Sequence, residues 1–285
     1  MGEFENRFGG IGRLYGQSAL AKLASSRMII VGLGGVGTWV AEALARSGVS
    51  HLRLIDLDEI CISNVNRQLP AMDGTIGRAK VDVMAERLRQ INPAGHFEAV
   101  SEYFTQASAD RLLCFSGLSG DRENGPTAIH PDCVIDAIDA VTNKCHLIAH
   151  CRARGIPCVS CGGAGGRRDP TQVRIADLHK VTHDRLLSEV RKRLRQQHGF
   201  PRDSSPMGVP AVYSLETPLY PQPDGTVGDR PMSPSEGVGG PRLNCNWGYG
   251  SATHVTGTFG FVAAARAIET VLGLVPASSQ LPPIE

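Results

Sequence analysis

The feature that most constrains this chain is a β-branched run, Met28-Ile29-Ile30-Val31, which breaks into Gly32-Leu33-Gly34-Gly35-Val36-Gly37 and continues as a helical stretch through Arg46. An apolar run, a glycine-dense turn and a helix in direct succession make the first half of a β-α-β unit. A second apolar run, Leu52 to Ile55, ends in Asp56-Leu57-Asp58. It follows the glycines by about twenty residues, the span such a unit needs.

Further along, Val81, Met84, Leu88 and Ile91 recur at helical spacing, which predicts an amphipathic helix over 77–92 closed by Asn92-Pro93. Cys133 to Ile138 reads as a strand leading into Asp139, a helix follows from Thr142 to Arg154, and Pro157 to Ser160 reads as a short strand. This alternation predicts a Rossmann-like, three-layer α/β fold with a mostly parallel sheet. We expect one domain over 1–285, with a nucleotide-binding half at 1–160 and a substrate and dimer half at 161–285 containing a long crossover. Ser116 to Pro131 and Phe200 to Leu243 read as loops, the second rich in Pro, Gly and Ser and longer than a connector requires. Ser251 to Gly273 is the most apolar long segment, but His254, Arg266 and Glu269 make it a packed helix rather than a membrane span.

Composition narrows the function classes only in part. The 285 residues carry a formal charge of +1, which excludes a globally basic nucleic-acid binder but leaves local patches open. The N-terminal MGEFENRFGG lacks a basic segment followed by an apolar run, so no secretory leader is expected, and the cytoplasm, or an organelle, is the expected compartment. The eight cysteines lack the dense spacing of a disulfide scaffold and read as thiols.

Gly32, Gly34 and Gly37, with Gly35 between them, fit a phosphate-binding turn: tight turning, close backbone approach and close helix packing. The N-terminus of the following helix favours an anion there, and Asp56 stands where a ribose hydroxyl would need an acceptor. The same turn serves NAD, FAD and ATP, so the downstream residues decide. Asn64-Val65-Asn66-Arg67-Gln68 follows the second strand directly and Lys80 opens the next helix. Two cations converging on the turn suit a triphosphate, whose charge is larger and shifts during reaction. Taken singly, Arg67 and Lys80 also read as solvated surface charges. Asp139 is a candidate Mg²⁺ ligand and equally a helix N-cap.

Together, G-L-G-G-V-G, L-I-D-L-D, N-V-N-R-Q, G-R-A-K and D-A-I-D resemble the adenylylation domain shared by ubiquitin-activating enzymes and the ThiF/MoeB activators of sulfur carriers. The resemblance implies that Asp56, with Asp58, Asn66 and Gln68 beside it, serves ribose and nucleotide binding. It further implies that Arg67 and Lys80 bind the phosphates, and that Asp139 holds Mg²⁺. The flanks add Arg7-Phe8-Gly9-Gly10, Arg13-Leu14-Tyr15-Gly16, Gln90-Ile91-Asn92-Pro93, 162–166, 169–172 and 258–261. With them the chain resembles, from about Arg7 to Leu272, the tRNA threonylcarbamoyladenosine dehydratase family.

That resemblance implies an ATP-dependent reaction: the threonyl carboxylate of the modified adenosine beside the anticodon is adenylylated, and the neighbouring carbamoyl group closes a ring as AMP leaves. It also implies a homodimer in which Arg7 or Arg13 reaches the partner's site, and leaves open a monovalent cation and a sulfur-transfer protein partner. Cys245 lies where ubiquitin activators carry a thioester nucleophile, although a tethered ring closure needs no thioester and an inert cysteine is the stronger reading. Cys158 and Cys161 lack a second C-x-x-C, so no zinc site is expected. For tRNA, the candidates are Arg185, Arg191, Lys192, Arg193 and Arg195 around an apolar stripe of Leu186, Val190 and Leu194, with Arg167 and Arg168; a solvated helix face fits the first group equally well. No aromatic-rich stacking platform is visible. The alternatives are a carrier-protein activator, a nicotinamide-dependent oxidoreductase and a silent nucleotide-binding module.

Overall fold

The computed structural model describes residues 2–116, 128–230 and 249–275. The chain opens with α1 (Glu3–Tyr15) and α2 (Gln17–Ser25), then β1 (Arg27–Val31), α3 (Gly37–Arg46), β2 (His51–Ile55), α4 (Lys80–Ile91) and β3 (His96–Val100). A short α5 (Ala109–Leu112) and the small paired strands β4 (Phe115–Ser116) and β5 (Ala128–Ile129) follow, then β6 (Cys133–Asp136), α6 (Val141–Ala153) and β7 (Cys158–Cys161). The last third holds β8 (Val173–Asp177), α7 (Arg185–Gln197), β9 (Pro210–Ser214), the hairpin β10 (Tyr220–Pro221) with β11 (Val227–Gly228), and α8 (Thr253–Leu272).

Seven strands form one sheet in the order β3-β2-β1-β6-β7-β9-β8. All its pairings are parallel except that of β8 with β9. The period of two along each strand sends alternate residues to opposite faces. Met28, Ile30, Leu52, Leu54, Cys133 and Ile135 thus pack with α3, α4 and α8 on one face. Ile29, Val31, Ile55 and Val134 pack with α5 and α6 on the other. The result is the expected three-layer, mostly parallel α/β fold.

The helix α8 is long and apolar enough to cross a bilayer, yet Val255, Phe259, Ala263 and Ala267 are fully buried against the sheet face and α3. It is a core helix, as its three charged or titratable residues predict.

The reading of 200–243 as one long loop is corrected by β9, which inserts between β7 and β8. Its signal, the three residues Ala211-Val212-Tyr213, is too short to stand out between proline-rich flanks, and sheet pairing on both sides decides it. The end of that stretch, 231–243, lies outside the described residues, as do 244–248. So do 117–127, within the segment 116–131, whose ends pair as β4 and β5.

The carboxyl ends of β1, β2 and β6 are level: Val31 is in register with both Ile55 and Asp136. The chain turns one way from β1 to β2 and the other way from β1 to β6, so their following loops splay apart above β1. An open α/β sheet makes its crevice at such a reversal.

Candidate active site at the carboxyl edge

Gly32 leaves β1 with φ +94°, and a Cβ there would sit 2.7 Å from the Ala137 carbonyl oxygen of the β6 loop. At Gly37 a Cβ would fall 1.8 Å from the Gly32 carbonyl oxygen. The fold itself therefore demands glycine at both places. Gly34 differs: an added Cβ meets no atom of the described residues within 4 Å. The room at Gly34 is thus not taken by the described residues, which is the condition for backbone N–H groups to be approached by a phosphate.

Asp56 straps this turn. Its Oδ2 accepts from Leu33 N at 2.6 Å and its Oδ1 from Asp58 N at 2.8 Å. Burial lifts its carboxyl above the ordinary range, opposed by the nearby Lys80 charge and by these two backbone donors. Each oxygen retains a lone pair after one bond, so the carboxylate can still accept from a ribose hydroxyl.

Lys80 is the first residue of α4 and is buried, its Nζ held at 2.7 Å by Asp58, whose own side chain is largely exposed. The solvated alternative for Lys80 is thereby corrected: a buried ammonium needs a partner, and Asp58 supplies it while remaining reachable from solvent. In this structure Asp58 anchors Lys80.

Arg67 lays its stem across the glycine turn; a Cβ at Gly35 would lie 3.2 Å from Arg67 Cγ and 3.3 Å from the Thr256 methyl. Its Nη1 donates to Ser63 O at 2.7 Å and to Asn66 Oδ1 at 3.0 Å. The segment carrying it is pinned to α8 and α3: Asn66 Nδ2 donates to Ser251 O at 2.8 Å, Thr253 Oγ1 to Asn66 O at 2.6 Å, and Trp39 Nε1 to Arg67 O at 3.1 Å. Gln68 is buried, and its Oε1 has no partner among the described residues.

On the third side of the crevice, Asp139 is exposed and enters no hydrogen bond or ion pair among the described residues. The N-cap reading is corrected: the cap position of α6 is Ala140. The loop presenting Asp139 is fixed from below by a pair the sequence did not reveal. Lys144 and Asp136, both fully buried, meet at 2.9 Å. Lys144 Nζ also donates to Ile138 O at 2.9 Å, and Asp136 accepts from Ser160 Oγ at 2.8 Å and from Ile138 N at 3.2 Å.

The carboxyl edge thus gathers residues from three loops and from α8. The profile of the ThiF family matches residues 10–282. The tRNA threonylcarbamoyladenosine dehydratase of Escherichia coli (strain K12) is 42% identical over 270 residues, 94% of each chain. The enzyme of that name from Haemophilus influenzae is 42% identical over 271 residues, again 94% of each. This chain belongs to the ThiF family, with the tRNA threonylcarbamoyladenosine dehydratases. A crystal structure of the E. coli enzyme in complex with ATP superposes with a TM-score of 0.79 at 39% identity, covering 95% of both chains.

The remaining candidate residues of this ThiF-family chain fall elsewhere. Arg7 donates to Glu3 Oε1 at 2.7 Å and to Ile91 O at 3.4 Å, at the end of α4 opposite Lys80. A 12-residue helix separates those ends by about 17 Å, so Arg7 stands away from its own chain's crevice. Arg13 is exposed and engaged by no acid among the described residues. Cys245 lies outside the described residues. Cys158 and Cys161 are free thiols on β7, and burial pushes the Cys161 thiol up to about 12.

Two tRNA-facing expectations change. Arg167 is buried, donating to His183 O at 2.9 Å beside Asp184, so it is not a surface phosphate contact. The apolar stripe of α7 is Leu187, Val190 and Leu194, with Leu186 only half-buried. Three of the five cations of α7 are engaged within the fold, Arg191 donating to Val181 O at 2.7 Å, Arg195 to Pro201 O at 2.9 Å and Arg193 to Glu189 at 3.0 Å, while Arg185 and Lys192 stay exposed. This favours the structural reading for Arg191, Arg193 and Arg195.

The glycines yield a contrast that tests the crevice. Gly34→Ala should leave the melting temperature within the range of neutral surface changes, about 0.5 kcal/mol, yet weaken Mg-ATP binding about tenfold in calorimetry. Gly37→Ala should fail to fold or melt far lower. Equal behaviour of the two would show that the room at Gly34 serves nothing.

Proposed function

We infer that this protein dehydrates N6-threonylcarbamoyladenosine in tRNA, using ATP to activate the threonyl carboxylate. The observation that carries this reading is the crevice over β1. There the room at Gly34, the Asp56 carboxylate, the Arg67 stem and the anchored Lys80 face one another, in a chain whose likeness to the tRNA dehydratases runs through both halves.

In this reading the Gly34 backbone and the N-terminus of α3 cradle the phosphates of ATP, Asp56 accepts from the ribose, and Gln68 backs the segment that carries Arg67. The threonyl carboxylate attacks the α-phosphorus and pyrophosphate leaves. Arg67 and Lys80 stabilise the charge that moves onto the departing oxygens, which is where fixed cations act most strongly. Asp58 holds Lys80 in place. Asp139, exposed and without a partner among the described residues, suits Mg²⁺, which would neutralise phosphate charge when bound. The carbamoyl group, already tethered beside the acyl adenylate, then closes the ring and AMP departs. Tethering makes this step effectively unimolecular and removes the need for a cysteine nucleophile.

Arg13 is the better placed of the two N-terminal arginines to cross into a partner's crevice in a homodimer, because Arg7 is already paired. A reaction on tRNA places the protein wherever tRNA and ATP meet, the cytoplasm in a bacterium.

The test is pyrophosphate release on addition of tRNA bearing the modified adenosine, with mass spectrometry of the nucleoside. We expect release that depends on that tRNA and a product lighter by one water. Release that instead requires a carrier protein, or tight NADH binding with no affinity for Mg-ATP, would overturn the assignment.

A further inference from the structure

Beyond the crevice, the fold brings together two tyrosines that are 29 residues apart in sequence. The rings of Tyr220 and Tyr249 lie 5.0 Å apart, tilted by 45°, and the Tyr249 hydroxyl donates to that of Tyr220 at 3.2 Å. Tyr249 is 44% exposed and Arg185, also exposed, reaches the Tyr220 hydroxyl at 3.5 Å.

The pair is built into the fold rather than left on a loose surface. Gly166, at φ +76°, donates its N–H to Gly250 O at 2.7 Å and accepts at its carbonyl from Leu219 N at 2.7 Å, so one residue clamps the neighbour of each tyrosine. A Cβ at Gly166 would meet Leu219 O at 2.7 Å and Tyr249 Cδ1 at 2.9 Å. Arg167, whose charge acts on both tyrosines, follows directly in the chain, buried and with no partner for its Nε among the described residues.

The platform is also continuous with the crevice. Two residues beyond Tyr249, the Ser251 carbonyl holds Asn66 of the Arg67 segment, and two residues of chain span at most about 7 Å.

We propose that Tyr220 and Tyr249 form a stacking platform for an unpaired RNA base next to the nucleotide that enters the crevice, with Arg185 contacting its phosphate. The proposal rests on the tRNA reading above and adds the residues that seat the RNA. Exposed aromatic faces hold splayed single-stranded bases irrespective of sequence, and an adjacent guanidinium follows the backbone. A protein partner would instead seek a larger continuous apolar surface, whereas this site is two hydroxylated rings among cations.

The test uses the full chain and two measurements: the affinity for an anticodon stem-loop carrying the modified adenosine, and the KM and kcat for tRNA in pyrophosphate release. Tyr249→Ala and Tyr220→Ala should each weaken stem-loop affinity about tenfold and raise the tRNA KM alike. The kcat and the calorimetric affinity for Mg-ATP should stay within about twofold. Tyr249→Phe should restore the affinity, since the ring face is what binds. Arg185→Ala should reduce the slope of log affinity against log salt by about one, and it carries the test if an alanine variant at either tyrosine does not fold.

Unchanged stem-loop affinity in these variants would overturn the platform, and so would a parallel loss of Mg-ATP affinity. Failure of the phenylalanine variant to recover would have the same force, as would an unaltered salt slope in Arg185→Ala. An unsubstituted protein that binds the stem-loop but releases no pyrophosphate would instead count against the dehydratase reading alone.

Discussion

Asp139→Ala should lose tRNA-dependent pyrophosphate release by about a hundredfold or more, the scale on which removing one charge-stabilising group from a reacting phosphate slows an enzyme. Its melting temperature should not move. The side chain is exposed, touches no acid, base or helix N–H among the described residues, and stands three residues past the end of β6. Nothing in the packing depends on it. Asp139→Asn keeps the shape and removes the charge, so it should be impaired nearly as much at low Mg²⁺ and recover in part as Mg²⁺ rises. Turnover at the unsubstituted rate in either variant would remove Asp139 from the reaction. A fall in melting temperature equal in significance to the fall in rate would make it a structural residue.

Lys144→Met should have the largest effect on stability. Among the described residues, the substitution leaves the buried Asp136 carboxylate with only Ser160 Oγ and Ile138 N as donors. Breaking a buried pair from one side costs about 3–5 kcal/mol, or a fall in melting temperature on the order of 10 °C for a chain of this size. Burial already pushes the Asp136 carboxyl above the ordinary range, against the pull of Lys144 and Ser160. Removing Lys144 raises it further. A carboxyl whose folded value lies above its unfolded one binds its proton more readily in the folded state. The penalty of the variant is therefore fullest at neutral pH and shrinks as the pH falls through the folded value. Replacing both residues, Asp136→Asn with Lys144→Met, should recover part of the loss, because no unpaired charge is then left to desolvate. Thermal melts at neutral and mildly acidic pH decide it. A single variant as stable as the unsubstituted protein at neutral pH would mean the pair does not hold the β6 loop.

Much of the crevice was legible in the chain because its parts are local. The run Met28 to Val31, the turn Gly32 to Gly37 and the acid at Asp56 each follow from a few consecutive residues with fixed backbone demands. Gly32 and Gly37 are required by contacts within five residues or with the adjoining strand loop. The period of two in the strands and the spacing of Val81, Met84 and Leu88 in α4 placed those elements within a few residues of where they lie. What the chain could not disclose were pairings set by the closing of the sheet. That Lys80 is held by Asp58, that Asn66 hangs from Ser251, and that Arg167 is drawn inward beside Asp184 depend on segments 16 to 185 residues apart. The same holds for β9, whose three apolar residues become a strand only between β7 and β8, and for Tyr220 and Tyr249, which are scattered aromatics until Gly166 clamps their neighbours. Local geometry is encoded where the backbone has few choices; the partner of a charge or an aromatic ring is chosen by packing, and packing is a property of the whole fold.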